Sequence, residues 1–187
     1  MFTKAKLREE IKKKRLFLKE DEVESKSKEI IEKLKGILPE NANSFMFYYP
    51  FKKEVNLLPL AEEFLLKGKE VIFPKVINRN IVPIRVFSLE EFEKGFLSIP
   101  EPPFNPERIL KEIDVVFVPG IVFDFQCFRI GYGGGFYDRF LANFKVKTKI
   151  GICFDFQIVE KIPREHFDVP MDLVVSEKRV VRRSQWS

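Results

Sequence analysis

Short segments that are apolar throughout alternate with helical segments along this chain. Residues 114–118 are the clearest case, because four consecutive apolar side chains precede Pro119-Gly120, and residues 44–49 form a second, aromatic one. A strand that is buried on both faces is apolar on both faces, whereas a half-exposed strand alternates. The pattern therefore predicts an α/β fold whose mostly parallel central sheet is covered on both sides.

The other elements follow from apolar periodicity and from Gly and Pro positions. Helices are predicted over about residues 4–19, 21–35, 57–67 and 136–144, with Asp21 as the cap of the second and Gly36 and Pro39 at its end. Strands are predicted at residues 44–49, 70–73 (ended by Pro74), 82–87, 114–118, 149–154, 173–175 and 179–181. Residues 96–108 read as a proline-rich loop. Without repeats or linkers, residues 1–187 are expected to form a single domain.

Net charge is +5, which invites a nucleic-acid interpretation. Its distribution argues against one. Residues 1–19 hold eight basic and two acidic residues, the tail adds Lys178, Arg179, Arg182 and Arg183, and residues 20–177 are net negative. A nucleic-acid-binding domain would be basic in its body. We therefore predict no nucleic-acid partner, although an RNA-binding or nucleotide-responsive module using the basic ends remains the binding-protein alternative.

Several other classes are excluded on composition. No apolar run approaches the roughly 18 residues of a membrane helix, and the first residues lack the apolar core of a signal peptide, so we expect no membrane partner and a cytoplasmic location. Cys127 and Cys153 are too few for a disulfide framework or a zinc ribbon, and His166 is the only histidine. Any metal would therefore be held by oxygen ligands.

Four of the nine glycines fall within five residues, in the segment RIGYGGGFYDRF. Glycines before a helix let backbone N–H groups approach an anion, and the helix start adds donors and its dipole, so the segment predicts phosphate binding. A P-loop lysine is missing, and Phe136 stands where a dinucleotide fingerprint has its third glycine. A nicotinamide-dependent oxidoreductase and a glycine turn without a ligand remain alternatives.

Acidic and basic residues flank this segment. Asp138 lies in the first turn of the following helix, where it either caps the helix or faces bound phosphate across a cation. Mg²⁺ suits that position, and Asp168 or Asp172 could supply a second carboxylate. Lys4 and Arg8 share a helix face, and Glu54 follows a strand end, where parallel sheets place ligands; each could equally be a solvated surface residue.

The segment VPGIVFDFQCFRIGYGGGFYDRFL closely resembles the signature of the 5-formyltetrahydrofolate cyclo-ligase family, also called 5,10-methenyltetrahydrofolate synthetases. Similarity extends over nearly the whole chain, through the N-terminal K-x-x-x-R, Y-x-x-x-x-EV, FPKV, IPEP, GICFDFQIVEKIP and D-x-x-x-D. The resemblance implies a three-layer α/β/α sandwich and an enzyme, which we expect to be a monomer. It also implies that the enzyme uses MgATP to convert 5-formyltetrahydrofolate to 5,10-methenyltetrahydrofolate, ADP and phosphate.

By position, the resemblance also implies the site residues. The ATP-binding residues would be Lys4, Ala5, Lys6, Leu7, Arg8, Arg129, Ile130, Gly131, Tyr132, Gly133, Gly134, Gly135, Phe136 and Tyr137. The substrate-binding residues would be Arg8, Tyr49, Glu54, Tyr132, Gly133, Gly134, Gly135 and Phe136, with Glu54 as a partner for the N–H donors of the pterin ring. Asp138 and Asp168 match the magnesium ligands. Arg129 and Tyr132 are the predicted catalytic residues.

The chain departs from the family pattern at four positions. The common EVDT reads Glu54-Val55-Asn56-Leu57, which removes an acid and a hydroxyl. Cys127 replaces the usual glycine two residues before Arg129, so a different turn is expected there. Gly134 stands where some members have a lysine, which removes a cation near the γ-phosphate. These departures bear on affinity and rate more than on the class of reaction.

Overall fold

A seven-stranded sheet forms the centre of the structure, a computed structural model that describes residues 3–184. The α-helices are α1 (Lys4–Leu16), α2 (Glu20–Ile37), α3 (Leu58–Leu66) and α4 (Phe136–Asn143). The strands are β1 (Ser44–Met46), β2 (Glu70–Ile77), β3 (Asn80–Val86), β4 (Glu93–Lys94), β5 (Pro100–Glu101), β6 (Glu112–Val118), β7 (Val122–Asp124), β8 (Arg129–Ile130), β9 (Lys145–Ile152), β10 (Ile158–Val159), β11 (Leu173–Val175) and β12 (Val180–Arg182).

The strand order in the large sheet is β12-β11-β9-β6-β1-β2-β3. Strands β11, β9, β6, β1 and β2 pair in parallel, and the edge strands β12 and β3 are antiparallel to their neighbours. The prediction of a mostly parallel central sheet is therefore confirmed. The apolar strand β6 lies in the middle, where both of its faces are covered.

Apolar side chains cover the two faces of the sheet. On one face, Phe45 and Phe117 pack with the buried residues of α2 and α3. On the other face, Met46 and Val116 pack with Phe140 of α4. Neighbouring strand residues point to opposite faces, so the same short strands contribute to both layers.

A small three-stranded sheet, β10-β7-β8, carries the first helix. Leu7 and Ile11 of α1 pack against Val122, Ile130 and Ile162 in a separate buried cluster. Because β8 leads directly into the glycine-rich segment, this contact places the N-terminal helix beside that segment. Strands of two or three residues carry too little pattern to be predicted, and this sheet was not expected from the sequence.

Several expected boundaries differ in the structure; strand β1, for example, ends at Met46 rather than at residue 49. Strand β2 continues through Pro74 to Ile77, because Pro74 lies beyond the end of β1 and faces Pro83 on an edge strand, where neither residue needs an N–H. Strand β9 begins four residues earlier than expected, at Lys145, where exposed and half-buried residues alternate. The prediction that Asp21 caps α2 is wrong, since the helix begins at Glu20 and Asp21 lies in its first turn.

No helix within residues 3–184 combines the length and apolar composition needed to cross a bilayer.

Candidate active site

A cavity of about 460 Å³ opens at the carboxyl ends of the central strands. Tyr48 and Tyr49, which follow β1, and Pro119, which follows β6, lie on its wall. The chain proceeds from β1 to β2 on one side and from β6 to β9 on the other, so the crevice lies where the strand order reverses. Open α/β sheets bind their ligands at such points, and the volume suits small molecules.

The glycine-rich segment forms one wall of the cavity and ends at the start of α4. Gly135 is the N-cap of that helix and has a φ of 68°, a left-handed conformation that glycine adopts without a Cβ penalty. At Gly131 an added Cβ would lie 2.7 Å from Arg129 Nη2, so a side chain there would displace the arginine. Gly135 therefore permits the turn before α4, and Gly131 leaves room for the Arg129 guanidinium to lie against the backbone.

Arg129 is that buried cation, with only 8% of its surface exposed. Its Nε donates a hydrogen bond to the Pro119 carbonyl at 3.1 Å, its Nη1 lies 4.0 Å from Asp138 Oδ1, and its guanidinium lies over the Tyr137 ring. Burial lowers the pKa of Arg129, and the carboxylate of Asp138 opposes this effect. The site thus holds a desolvated positive charge that faces the cavity.

Two carboxylates, those of Asp138 and Asp168, also line the cavity. Asp138 Oδ1 accepts a hydrogen bond from the backbone N–H of Val169 at 3.3 Å, next to Asp168. Asp168 is nearly enclosed and accepts from Lys4 Nζ at 2.7 Å. Asp172 instead accepts from the backbone of Lys149, away from the cavity wall. Of the two candidates for the second carboxylate, the geometry favours Asp168.

The donor set suits a hard divalent cation. Magnesium commonly takes one or two protein carboxylates together with phosphate oxygens and water, which is what Asp138 and Asp168 beside a phosphate loop would offer. Within residues 3–184, no three acidic, histidine or cysteine side chains converge, so an all-protein metal cage is absent from the described residues. A cation at this place would therefore depend on oxygens from a substrate.

Only part of the predicted N-terminal ATP segment reaches the cavity. Lys4 and Arg8 lie on its wall, and Arg8 Nε donates to the Gly131 carbonyl at 2.8 Å, which fixes one end of the glycine loop. Leu7 packs into the core of the small sheet, and Ala5 and Lys6 lie on the exposed side of α1. A helix presents one face to the cavity, so the segment contributes two residues out of five to its wall.

Glu54 is buried at the inner end of the cavity. Lys52 and Lys53 both have positive φ angles, and the tight turn they form brings Glu54 Oε1 within 2.8 Å of the Phe51 N–H. Burial raises the pKa of Glu54 to about 7, while the nearby positive charge of Arg15 opposes that rise. Burial, together with the nearby charge of Glu54, raises the pKa of the Tyr132 phenol to about 12.

We expect Glu54→Gln to stabilise the protein at alkaline pH. Between its ordinary pKa of 4.5 and its folded value of about 7, Glu54 keeps a proton that the unfolded chain releases, so its contribution to stability falls as pH rises. At pH 8 the glutamine variant should gain up to about 3 kcal/mol over wild type, and at pH 4.5 almost nothing. Urea unfolding at both pH values measures this, with the exposed Glu62→Gln as control. Equal stabilities at pH 8 would contradict it.

The positions that depart from the family pattern have local explanations. Cys127 adopts a φ of 69°, the left-handed conformation of a glycine, in a turn held by the buried Asp124. Asn56 Oδ1 accepts from the Leu58 N–H at the start of α3, and Leu57 is fully buried. None of these side chains lines the cavity. The Gly134 carbonyl, which does, accepts from Arg139 Nη1 at 2.6 Å.

Sequence reasoning missed an apolar wall of the cavity. Strand β4 lies just before the predicted proline-rich loop and strand β5 lies inside it, and the two form a short hairpin. This hairpin brings the Phe96 ring into contact with the Phe136 ring of the glycine segment, with 5.4 Å between the centroids. The buried ion pair between Lys75 and Glu101 anchors the hairpin to β2. The further wall residues that were not predicted are Tyr48, Phe51, Pro74, Val76, Ile81, Leu97, Ile99, Pro100, Glu101, Pro119, Glu165 and Phe167.

Comparison with known proteins identifies relatives across this whole architecture. The model of the 5-formyltetrahydrofolate cyclo-ligase family matches residues 1–177. The 5-formyltetrahydrofolate cyclo-ligase of Escherichia coli is 33% identical over 146 residues, covering 74% of this chain and 80% of the relative. The solved structure of the Aquifex aeolicus 5,10-methenyltetrahydrofolate synthetase is 39% identical in sequence and superposes with a TM-score of 0.82. The match covers 96% of this chain and 92% of the Aquifex aeolicus chain.

A second solved structure, the 5,10-methenyltetrahydrofolate synthetase of Mycoplasma pneumoniae, is 28% identical, with coverage of 94% and 99% and a TM-score of 0.73. The agreement in sequence thus extends to the overall fold. With a family match that begins at the N-terminal helix and runs past both cavity carboxylates, this chain belongs to the 5-formyltetrahydrofolate cyclo-ligase family.

Proposed function

We propose that the cavity at the carboxyl ends of the sheet is the site where this cyclo-ligase converts 5-formyltetrahydrofolate to 5,10-methenyltetrahydrofolate with ATP. The observation that carries the proposal is the presence of three features in one cavity: a glycine loop at a helix start, two carboxylates and a buried acid. Each suits a different part of the substrates. A site for one anion alone would not need the buried Glu54.

The glycine end of the cavity would take the phosphates of ATP. Backbone N–H groups of Gly133 to Phe136 precede and begin α4, whose dipole favours an anion. Arg8, Arg129 and Lys4 add positive charge on the same wall. Lys4 would exchange its ion pair with Asp168 for a phosphate when ATP binds, since the carboxylate could then turn to the metal.

The inner end would take the pterin ring of the folate. Glu54, ionised above pH 7, can accept hydrogen bonds from the N–H donors of the ring, and Tyr49, Phe51 and Tyr132 offer aromatic surface around it. The apolar hairpin residues on the other side would exclude water. Acid and aromatic groups together therefore suit a flat heterocycle that carries N–H donors.

In this reaction the protein would mainly orient the two substrates and neutralise the charge on the phosphates. The formyl oxygen attacks the γ-phosphorus, the bond to ADP breaks, N10 closes the ring as it loses its proton, and phosphate leaves. Asp138 and Asp168 would hold Mg²⁺, which would neutralise the phosphate oxygens. Arg129, which is desolvated and held by the Pro119 carbonyl, would stabilise charge on the transferred phosphoryl group without reorganising.

The test is a coupled measurement on the purified chain. With MgATP and 5-formyltetrahydrofolate, the methenyl chromophore should appear in step with ADP, one for one, and neither should form when either substrate is omitted. Chromophore without ADP, or ADP without chromophore, would contradict the proposal. Retention of NAD with indifference to ATP would instead favour the oxidoreductase alternative, and salt-dependent RNA binding the binding-protein alternative.

A further inference from the structure

Arg15 is a buried arginine that lies just behind the cavity wall. It belongs to α1, where it continues the apolar face formed by Leu7 and Ile11, and only 2% of its surface is exposed. Burying a guanidinium is costly unless its donors are satisfied. Its hydrogen-bond partners are neutral groups, namely the Tyr132 hydroxyl and, at 3.5 Å, the Gly120 carbonyl. An arginine kept at such a place needs a reason beyond packing.

We infer that Arg15 is a positioning residue for folate binding, acting through Tyr132 on Glu54, a role that rests on the function proposed above. Arg15 donates from Nη2 to the Tyr132 oxygen, so the phenol's own proton is free to point toward the nearby Glu54 carboxylate, which lines the same cavity. The guanidinium also lies 5.7 Å from the centre of the Tyr132 ring. Arg15 thus sets both the direction of the hydroxyl and the place of the ring.

The end of α1 and the Glu54 turn are joined by a second link. Lys53, inside the turn, donates to the carbonyl of Leu16 at 2.7 Å and to that of Leu18. These carbonyls lie at and just beyond the C-terminal end of the helix that carries Arg15. The distance between Arg15 and Glu54 is therefore fixed by the backbone as well as by Tyr132.

Glu54 faces charged or titratable groups from every element packed around it. They are Arg15 of α1, Tyr48 after β1, Arg129 of β8, Tyr132 of the glycine loop and Tyr137 of α4. Both cations favour the ionised carboxylate, and Arg15 is the stronger of the two influences. Without Arg15, Glu54 should hold its proton to higher pH and lose its capacity to accept from a ligand.

The experiment measures binding of 5-formyltetrahydrofolate alone, by calorimetry, across the pH range that brackets 7. Wild type should lose affinity as pH falls through the pKa of Glu54. Arg15→Met should weaken binding about tenfold at neutral pH and move this midpoint up by about one pH unit. Arg15→Lys, which keeps the charge, should return the midpoint toward wild type. Lys14 is an exposed neighbour of Arg15, and Lys14→Met removes the same charge. This variant should leave the folate affinity and the pH midpoint unchanged.

Three outcomes separate the possible failures. If Arg15→Met binds folate with the wild-type midpoint, or loses only thermal stability, Arg15 has a structural role and the inference is wrong. If Arg15→Met does not fold, Tyr132→Phe decides, because unchanged folate binding without the hydroxyl would leave Arg15 nothing to act through. If wild type binds no folate, the proposed function fails and this role fails with it.

A double variant checks the route. Since Arg15 is inferred to act through the Tyr132 hydroxyl, the loss of affinity in Arg15→Met should be smaller when Tyr132→Phe is already present. Additive losses would show that the two side chains act independently, which would contradict the route through Tyr132.

Discussion

Replacing Asp138 by asparagine should reduce kcat by about 100-fold or more while the protein stays folded. Asparagine has the same shape, and its side-chain oxygen can still accept from the Val169 N–H, so the loop around Asp168 should keep its place. The variant loses the negative charge that faces Arg129 and that would hold Mg²⁺ beside the phosphates. The rate is read from the methenyl absorbance at saturating substrates.

A matched control comes from the same part of the chain. Asp172→Asn removes an equal charge four residues after Asp168, but its carboxylate accepts from the Lys149 backbone and lies off the cavity wall. We expect it to keep most of the wild-type rate. Asp138→Asn should also need more Mg²⁺ for half-maximal activity. A wild-type rate and Mg²⁺ requirement in Asp138→Asn would remove this carboxylate from the site.

The sequence was informative where a pattern is local. Residues 115–118 are apolar on both faces, so they could be assigned to the interior of a parallel sheet without other information. The clustered glycines before Asp138 likewise predicted a loop at the start of a helix, and this loop lines the cavity. Both features depend on neighbours in sequence, and both lie where they were expected.

The parts that were missed depend on contacts between distant segments. Phe96 reaches the cavity because the two-residue strands β4 and β5 pair as a hairpin around it. Lys75 of β2 fixes that hairpin through ion pairs with Glu93 and Glu101. Arg15 stands in a run of basic residues, and no role was predicted for it. Its spacing of four from Ile11 and three from Leu18, both buried, was the available signal that it lies on the inner face.

Replacing Arg129 by methionine should be the most damaging change to this chain. Methionine fills similar space but leaves Asp138, Asp168 and Glu54 without the buried cation that they share, and losing one partner of a buried charge cluster typically costs about 3 kcal/mol. We expect kcat to fall by roughly 1,000-fold, because the charge that faces the transferred phosphoryl group is gone. Arg129→Lys should recover part of the stability and little of the rate, since lysine lacks the planar group held by the Pro119 carbonyl.

The pH dependence of stability distinguishes this electrostatic explanation from a simple packing defect. If Arg129 compensates buried carboxylates, the destabilisation of Arg129→Met in urea should be larger at pH 8, where Glu54 is ionised, than at pH 5, where it holds its proton. A cavity or a clash would cost the same at both pH values. Arg182→Met, on the exposed edge strand β12, is the control for loss of one positive charge. Equal losses of unfolding free energy at pH 5 and pH 8 would mean that Arg129 supports the fold by packing alone. Its positive charge would then interact with the substrate rather than compensate the carboxylates around it.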